Sequence, residues 1–234
     1  MKNSEVFLSL YQEIEEYFQR ELEANHHLRF YAMVDQMKKR NAAVKRYEFD
    51  LREFSDLRNA ITHGNMGKDV AIAEPHDKVV EQLKRIKEQI MAAPPITSVV
   101  NHQVRIVDGD MKLSAALGLM NEHGYGQLPV YDGDRYKGIF NGEILMRWLR
   151  GHAESSVLEM DHVTLEEIIE SDRDQGHQVI FKPRSSSVFE IQETVEHYTD
   201  KQYRLQAIIV TENGLPTEKP LTIITSADLP LIFE

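Results

Sequence analysis

Apolar residues recur at steps of three and four throughout residues 1–92, with no alternating run among them. That spacing places a stripe on one face of an α-helix. Val6, Leu10, Ile14 and Tyr17 form one stripe behind Ser4, whose hydroxyl suits an N-cap, and Leu28, Tyr31, Val34 and Met37 form a second. Asp50 with Glu53 has capping-box spacing and opens a third stripe, Leu51, Phe54, Leu57 and Ile61, which Gly64 can close. Asp77 opens a fourth, with Val79, Leu83, Ile86 and Ile90 inward and Pro94-Pro95 as its stop. The expectation is a bundle of about four helices.

Beyond the double proline, short β-rich runs alternate with amphipathic helices, and the segment repeats itself. His102-Gln103-Val104-Arg105-Ile106-Val107 aligns with His177-Gln178-Val179-Ile180-Phe181-Lys182, and the same offset carries Leu113 onto Val188, Ala116 onto Ile191 and Met120 onto Val195. Gly138-Ile139-Phe140-Asn141 aligns with Thr222-Ile223-Ile224-Thr225 once the polar hairpin Thr211 to Pro220 absorbs the extra residues. Insertions confined to loops, with the apolar pattern intact, mark a structural repeat.

With 234 residues, 41% of them hydrophobic, 28% charged, and only 12 Gly and 8 Pro, the chain suits one or two folded domains rather than disorder. It has no cysteine, which excludes disulfides and thiolate chemistry and fits a reducing compartment. No apolar run reaches the length of a membrane helix, and the acid-studded start reads as helix rather than signal peptide. The net charge of −11 is uneven: residues 1–92 hold 15 Lys and Arg against 16 Asp and Glu, residues 93–234 hold 12 against 22. The whole molecule therefore has no long-range attraction for nucleic acid, and only a local basic surface in the first part would supply one. Lys38-Lys39-Arg40 and Lys45-Arg46-Tyr47 are the candidate; the plainer reading is a solvated helix face neutralised by acids.

Each repeat unit resembles a CBS motif: a strand, the helix Leu113 to Met120, the buried strand Leu128-Pro129-Val130-Tyr131-Asp132, then Lys137-Gly138-Ile139-Phe140-Asn141 entering a helix. The second unit supplies Gln206-Ala207-Ile208-Ile209-Val210 and Leu221-Thr222-Ile223-Ile224-Thr225. The resemblance covers about residues 94–234, with a first unit at 94–152, a linker helix at 153–174 and a second unit at 175–234. It implies a tandem pair of βαββα units whose clefts hold adenosine compounds such as AMP, ADP, ATP or S-adenosylmethionine as regulatory ligands.

The family's nucleotide fingerprint is a Thr or Ser after an apolar strand and an Asp three residues on. The hydroxyl and nearby helix amides hydrogen-bond a phosphate, while the carboxylate accepts from the ribose hydroxyls. Thr225 and Asp228 match; in the first unit Asn141 and Ile144 stand in their places, so that cleft is expected to be empty or structural. The resemblance adds Ile180, Lys182 and Ala207 to the second site, with Lys182 beside a phosphate and Ala207 beside the adenine. Thr225 and Asp228 also have capping-box spacing, so a purely local cap stays open.

In the helical part, Arg58-Asn59-Ala60-Ile61-Thr62-His63-Gly64 resembles the Arg, four residues, His motif of the HEPN superfamily, helical domains that often dimerise and include metal-independent ribonucleases. The resemblance implies His63 as proton carrier, Arg58 as phosphate clamp and Asn59 as orienting group. Five residues turn a helix through roughly 500°, so Arg58 and His63 converge only if the helix unwinds or a two-fold partner contributes. A surface Arg and a helix-terminal His remain the structural alternative. No metal is implied, because the neighbours His26-His27 lack any companion ligand spacing. Trp148 is expected at a module interface.

The expectation is thus an α plus α/β protein, a HEPN-like four-helix bundle over residues 1–92 followed by the CBS pair, forming a cytoplasmic homodimer. Three functions remain open: a sensor of an adenine nucleotide that modulates the helical part, a ribonuclease gated by the pair with RNA as partner, and a dimerisation scaffold with vestigial sites.

Overall fold

The structure, a computed structural model, describes residues 2–23, 28–62, 73–153, 159–171, 177–199 and 204–233. Residues 1–94 and 95–234 form two units, each with its own internal packing.

In the first unit the leading helix, α1 (Asn3–Glu21), begins one residue before Ser4. Ser4 is not its N-cap. It lies buried in the first turn, where its backbone N and its hydroxyl donate to the Glu74 carboxylate at 3.0 and 2.8 Å. A distant acid satisfies the orphan amide and complements the positive helix end, so the local cap is dispensable. The buried face is Phe7, Leu10, Tyr11, Ile14 and Phe18, rotated from the Val6 to Tyr17 stripe because the larger aromatic area wins the interior.

Next come α2 (Phe30–Met37), α3 (Ala42–Arg46), α4 (Glu48–Thr62) and α5 (Asp77–Met91). Asp50 and Glu53 fall inside α4 rather than opening it. The extra helix α3 is one turn long, capped by Asn41 Oδ1 accepting from Val44 N at 3.1 Å, and too short to leave a periodic signal. Helix α1 packs on α2, α4 and α5. Aromatic edges and faces fill the centre, with Phe7 and Phe54 at 5.9 Å and Tyr11 and Phe30 at 4.6 Å between ring centroids.

The second unit contains the repeat. Its first half has β1 (Val107–Asp108), α6 (Leu113–His123), β2 (Gln127–Asp132), β3 (Arg135–Asn141) and α7 (Gly142–Gly151). After α8 (Leu165–Glu170), the second half has β4 (His177–Pro183), α9 (Val188–Thr199), β5 (Arg204–Thr211), β6 (Thr222–Ile224), a single 3-10 turn at Ser226–Asp228 and α10 (Leu229–Phe233). Both sheets have one design: β1 parallel to β2 and β2 antiparallel to β3, then β4 parallel to β5 and β5 antiparallel to β6. The parallel pairs need the crossovers that α6 and α9 provide, while the antiparallel pairs are joined by a two-residue turn between β2 and β3 and by the longer hairpin 212–221 between β5 and β6.

Each half is completed by chain that precedes the other. Ile96 and Val100 are buried with Val188, Ile191, Ile208 and Ile224 of the second half, and Ile96 N donates to Ser186 O at 2.9 Å. Leu165, Ile168 and Ile169 of α8 are buried with Leu113, Leu128 and Phe140 of the first half, where Leu113 N donates to Val163 O at 2.9 Å. The halves also share a core directly: Ala207 is buried among first-half residues, and Tyr136 of β3 meets Phe181 of β4 edge-on at 5.1 Å. Trp148 sits in this first-half core, 8% exposed and stacked on His152 at 4.2 Å.

Candidate functional site

The chain leaving β6 turns sharply into α10, and hydrogen bonds local to that turn fix its side chains. Thr225 is extended, and its Oγ1 accepts from Ala227 N at 3.2 Å while donating to Asp228 Oδ2 at 3.1 Å. The same Oδ2 accepts from Thr225 N at 2.7 Å. This is a reciprocal cap of the kind the spacing allowed. It also forms part of the rim of a cleft of ≈ 1580 Å³ between the halves, lined by Asn141, Gly142 and Glu143 on one side and by Thr225, Ser226 and Asp228 on the other.

The second oxygen of Asp228 is engaged too. Its Oδ1 lies 2.6 Å from His102 Nε2, and the backbone N of His102 donates to Thr222 Oγ1 at 3.0 Å. The Asp228 side chain is 7% exposed and that of His102 is 53% exposed. Burial pushes the Asp228 carboxyl up, but the bonds from His102 and from the Thr225 backbone and hydroxyl outweigh it and hold the group below its ordinary value.

The first half lacks this constellation. Asn141 Oδ1 accepts from Ile144 N at 3.0 Å as the N-cap of α7, and Ile144 is buried in the core. No carboxylate therefore occupies the position equivalent to Asp228. The acid that does reach the cleft there is Glu143, bridged across the halves to Arg204 at 2.5 Å and along α7 to Arg147 at 3.2 Å.

Of the residues expected at the second site, Thr225, Asp228 and Ala207 line the cleft, whereas Ile180 and Lys182 do not. Both lie on β4, and β5 separates β4 from β6 in the sheet. Two strand spacings put that edge roughly 10 Å from β6, the strand that Thr225 follows. Ile180 packs against the second-half core. His102 is the site residue the sequence did not single out; its only trace was its place at the head of the repeated His-Gln-Val run.

In the helical unit, Arg58 Nη1 donates to Asn59 Oδ1 at 3.3 Å. His63 and Gly64, like His26 and His27, lie outside the described residues. Lys38 of the basic cluster bonds Asp35 at 3.0 Å and Glu48 at 2.9 Å, and Arg52 joins the same acids at 2.8 Å, so neighbouring carboxylates neutralise the Lys38 charge. Among the described residues, no three His, Asp or Glu side chains converge as metal ligands, and no helix is long and apolar enough to cross a membrane.

The family model of the CBS domain matches residues 88–151, and the chain carries a CBS domain there. No curated protein matches the sequence. Among solved structures, the chain is similar to the CBS domain of a CBS-domain-containing membrane protein from Sphaerobacter thermophilus, at 21% identity over 66% of this chain and 97% of that one, TM-score 0.47. An uncharacterized conserved protein from Pyrococcus horikoshii is similar at 21% identity over 59% and 90%, TM-score 0.44. A CBS domain pair in complex with 5-methylthioadenosine and S-adenosyl-L-methionine is similar at 16% identity over 60% and 96%, TM-score 0.44.

Proposed function

We propose that residues 95–234 act as a CBS pair that senses an adenosine compound, AMP, ADP, ATP or S-adenosylmethionine, and that the ligand's preference for one arrangement of the pair modulates the helical unit. One observation carries this reading: Thr225 and Asp228 sit together on the rim of the cleft between the halves, with Ala207 in the same lining. Thr225 holds the turn whose amides face a phosphate, and the buried carboxylate takes the ribose hydroxyls. The effector is the HEPN-like helical unit, in a cytoplasmic homodimer.

A hydrogen bond to a charged group contributes about 1.5–3 kcal/mol. Asp228→Ala should therefore weaken binding of the responsive compound about 10- to 100-fold in calorimetric titration with AMP, ADP, ATP and S-adenosylmethionine. Equal affinity in the variant would remove Asp228 from the site. A second reading, a scaffold in which the pair is only a cap, is favoured by the full internal engagement of both Asp228 oxygens. It predicts no heat from any of the four compounds at millimolar concentration.

A further inference from the structure

Asp228 holds its two oxygens differently. Oδ2 belongs to the turn, because it accepts from the backbone N and the hydroxyl of Thr225, three residues away. Giving it up would strip the first turn of its cap. Among the described residues Oδ1 has one hydrogen-bond partner, His102 Nε2, which comes from 126 residues earlier in the chain. Oδ1 is thus the oxygen that exchanges partners without undoing the turn.

We infer that His102 is a built-in competitor for the sugar-binding carboxylate, and that an adenosine compound enters the second-half site by displacing the His102 imidazole from Asp228 Oδ1. This rests on the adenosine-binding reading above. Burial supports the exchange: the His102 side chain is half exposed while Asp228 is nearly sealed, so withdrawing the imidazole uncovers the acceptor without opening a core. Its anchorage does as well. Residues 101–106 have no helix or strand between the buried Val100 and β1, and the His102 backbone is tied to the second half by its bond to Thr222 Oγ1. The other charged side chains lining the cleft are Arg105, Arg204 and Glu143, and Arg204 is already paired with Glu143.

The consequence reaches beyond affinity. Residues 101–106 run without helix or strand from the buried Val100 to β1, so release of the imidazole by the ligand loosens this segment while Ile96 and Val100 keep the preceding chain anchored in the second half. Sugar and imidazole are mutually exclusive on one oxygen, and a ligand that pays differently in the latched and unlatched forms shifts their populations.

The test is calorimetric titration of the full chain with AMP, ATP and S-adenosylmethionine, using wild type, His102→Ala and His102→Gln, with circular dichroism melts to establish that each variant is folded. If about one molecule in ten is unlatched, the apparent dissociation constant is raised tenfold by the latch. His102→Ala should then bind about tenfold more tightly than wild type. His102→Gln, which keeps a donor for Asp228, should stay closer to wild type, and amide exchange in residues 102–106 of wild type should quicken when ligand is added. Binding to wild type that is unchanged or weakened in His102→Ala would overturn the latch while leaving the adenosine site standing. No heat from either protein with any of the three compounds would overturn both. Binding seen only in His102→Ala would support both.

Discussion

A methyl group at residue 138 is a sharp probe of how α8 completes the first half. A Cβ built on Gly138 in β3 falls far inside van der Waals contact of Ile169 Cγ2, where carbon atoms are at ease only at about 3.5–4.0 Å. Ile169 is 6% exposed and β-branched, so it has little rotameric freedom with which to yield, and α8 must move off β3. Overpacking of this kind costs about 1–3 kcal/mol. The entropic gain of replacing glycine, about 0.4–1 kcal/mol, offsets only part of it.

Gly138→Ala should therefore lower stability by about 1–2 kcal/mol, read as a reduced urea midpoint at constant slope. Ile169→Ala alone should cost about 2–5 kcal/mol through lost burial and a cavity. Together the clash is gone and the new methyl sits in the vacated space, so the double variant should lose about 1 kcal/mol less than the two single losses combined. If Gly138→Ala is as stable as wild type, or if the two losses add within about 0.3 kcal/mol, α8 does not pack on β3 as described.

Two further outcomes test other parts of the molecule. Phe18→Ala removes a fully buried ring from the centre of the helical unit and should cost about 3–5 kcal/mol there, seen by far-ultraviolet circular dichroism in urea; a loss under about 1 kcal/mol would mean that Phe18 is not core. In the connection between β5 and β6, Glu218 accepts from Asn213 Nδ2 at 2.6 Å, Asn213 N at 2.7 Å and Leu215 N at 3.4 Å, and these bonds, that of the Asn213 side chain first, hold its carboxyl down to about 2. A depressed carboxyl stabilises the loop above the ordinary value of 4.5, and that stabilisation fades as pH falls from 4.5 towards 2. Carbon-detected NMR titration of Glu218 should show the low midpoint, and Asn213→Ala should raise it; a midpoint near 4.5 in wild type would contradict the geometry.

Where a feature depends on neighbours in sequence, it was legible from the chain. The stripes through Leu10, Ile14, Val34, Met37, Leu83, Ile86 and Ile90 mark helices because a 3.6-residue period repeats within one element. The repeat of residues 102–107 at 177–182 marks two like halves whose sheets have the same parallel and antiparallel pairing, although of the first copy only Val107 lies in a strand whereas the second copy is strand throughout. Thr225 and Asp228 were readable for the same reason: one turn of chain holds both partners.

Tertiary structure alone decided the rest. The choice of Phe7, Tyr11 and Phe18 over Val6 and Tyr17 depends on which face α2, α4 and α5 cover, and the cap role of Ser4 passed to Glu74, which is 70 residues distant. Ile180 and Lys182 went to the far edge of a sheet whose strand order the sequence does not print. Ile96 and Val100 complete the half that follows them last, and His102 reaches Asp228 across 126 residues. Periodicity and capping are short-range chemistry and survive in a string of letters, whereas burial, strand order and a shared carboxylate oxygen come into being only when distant segments are packed together.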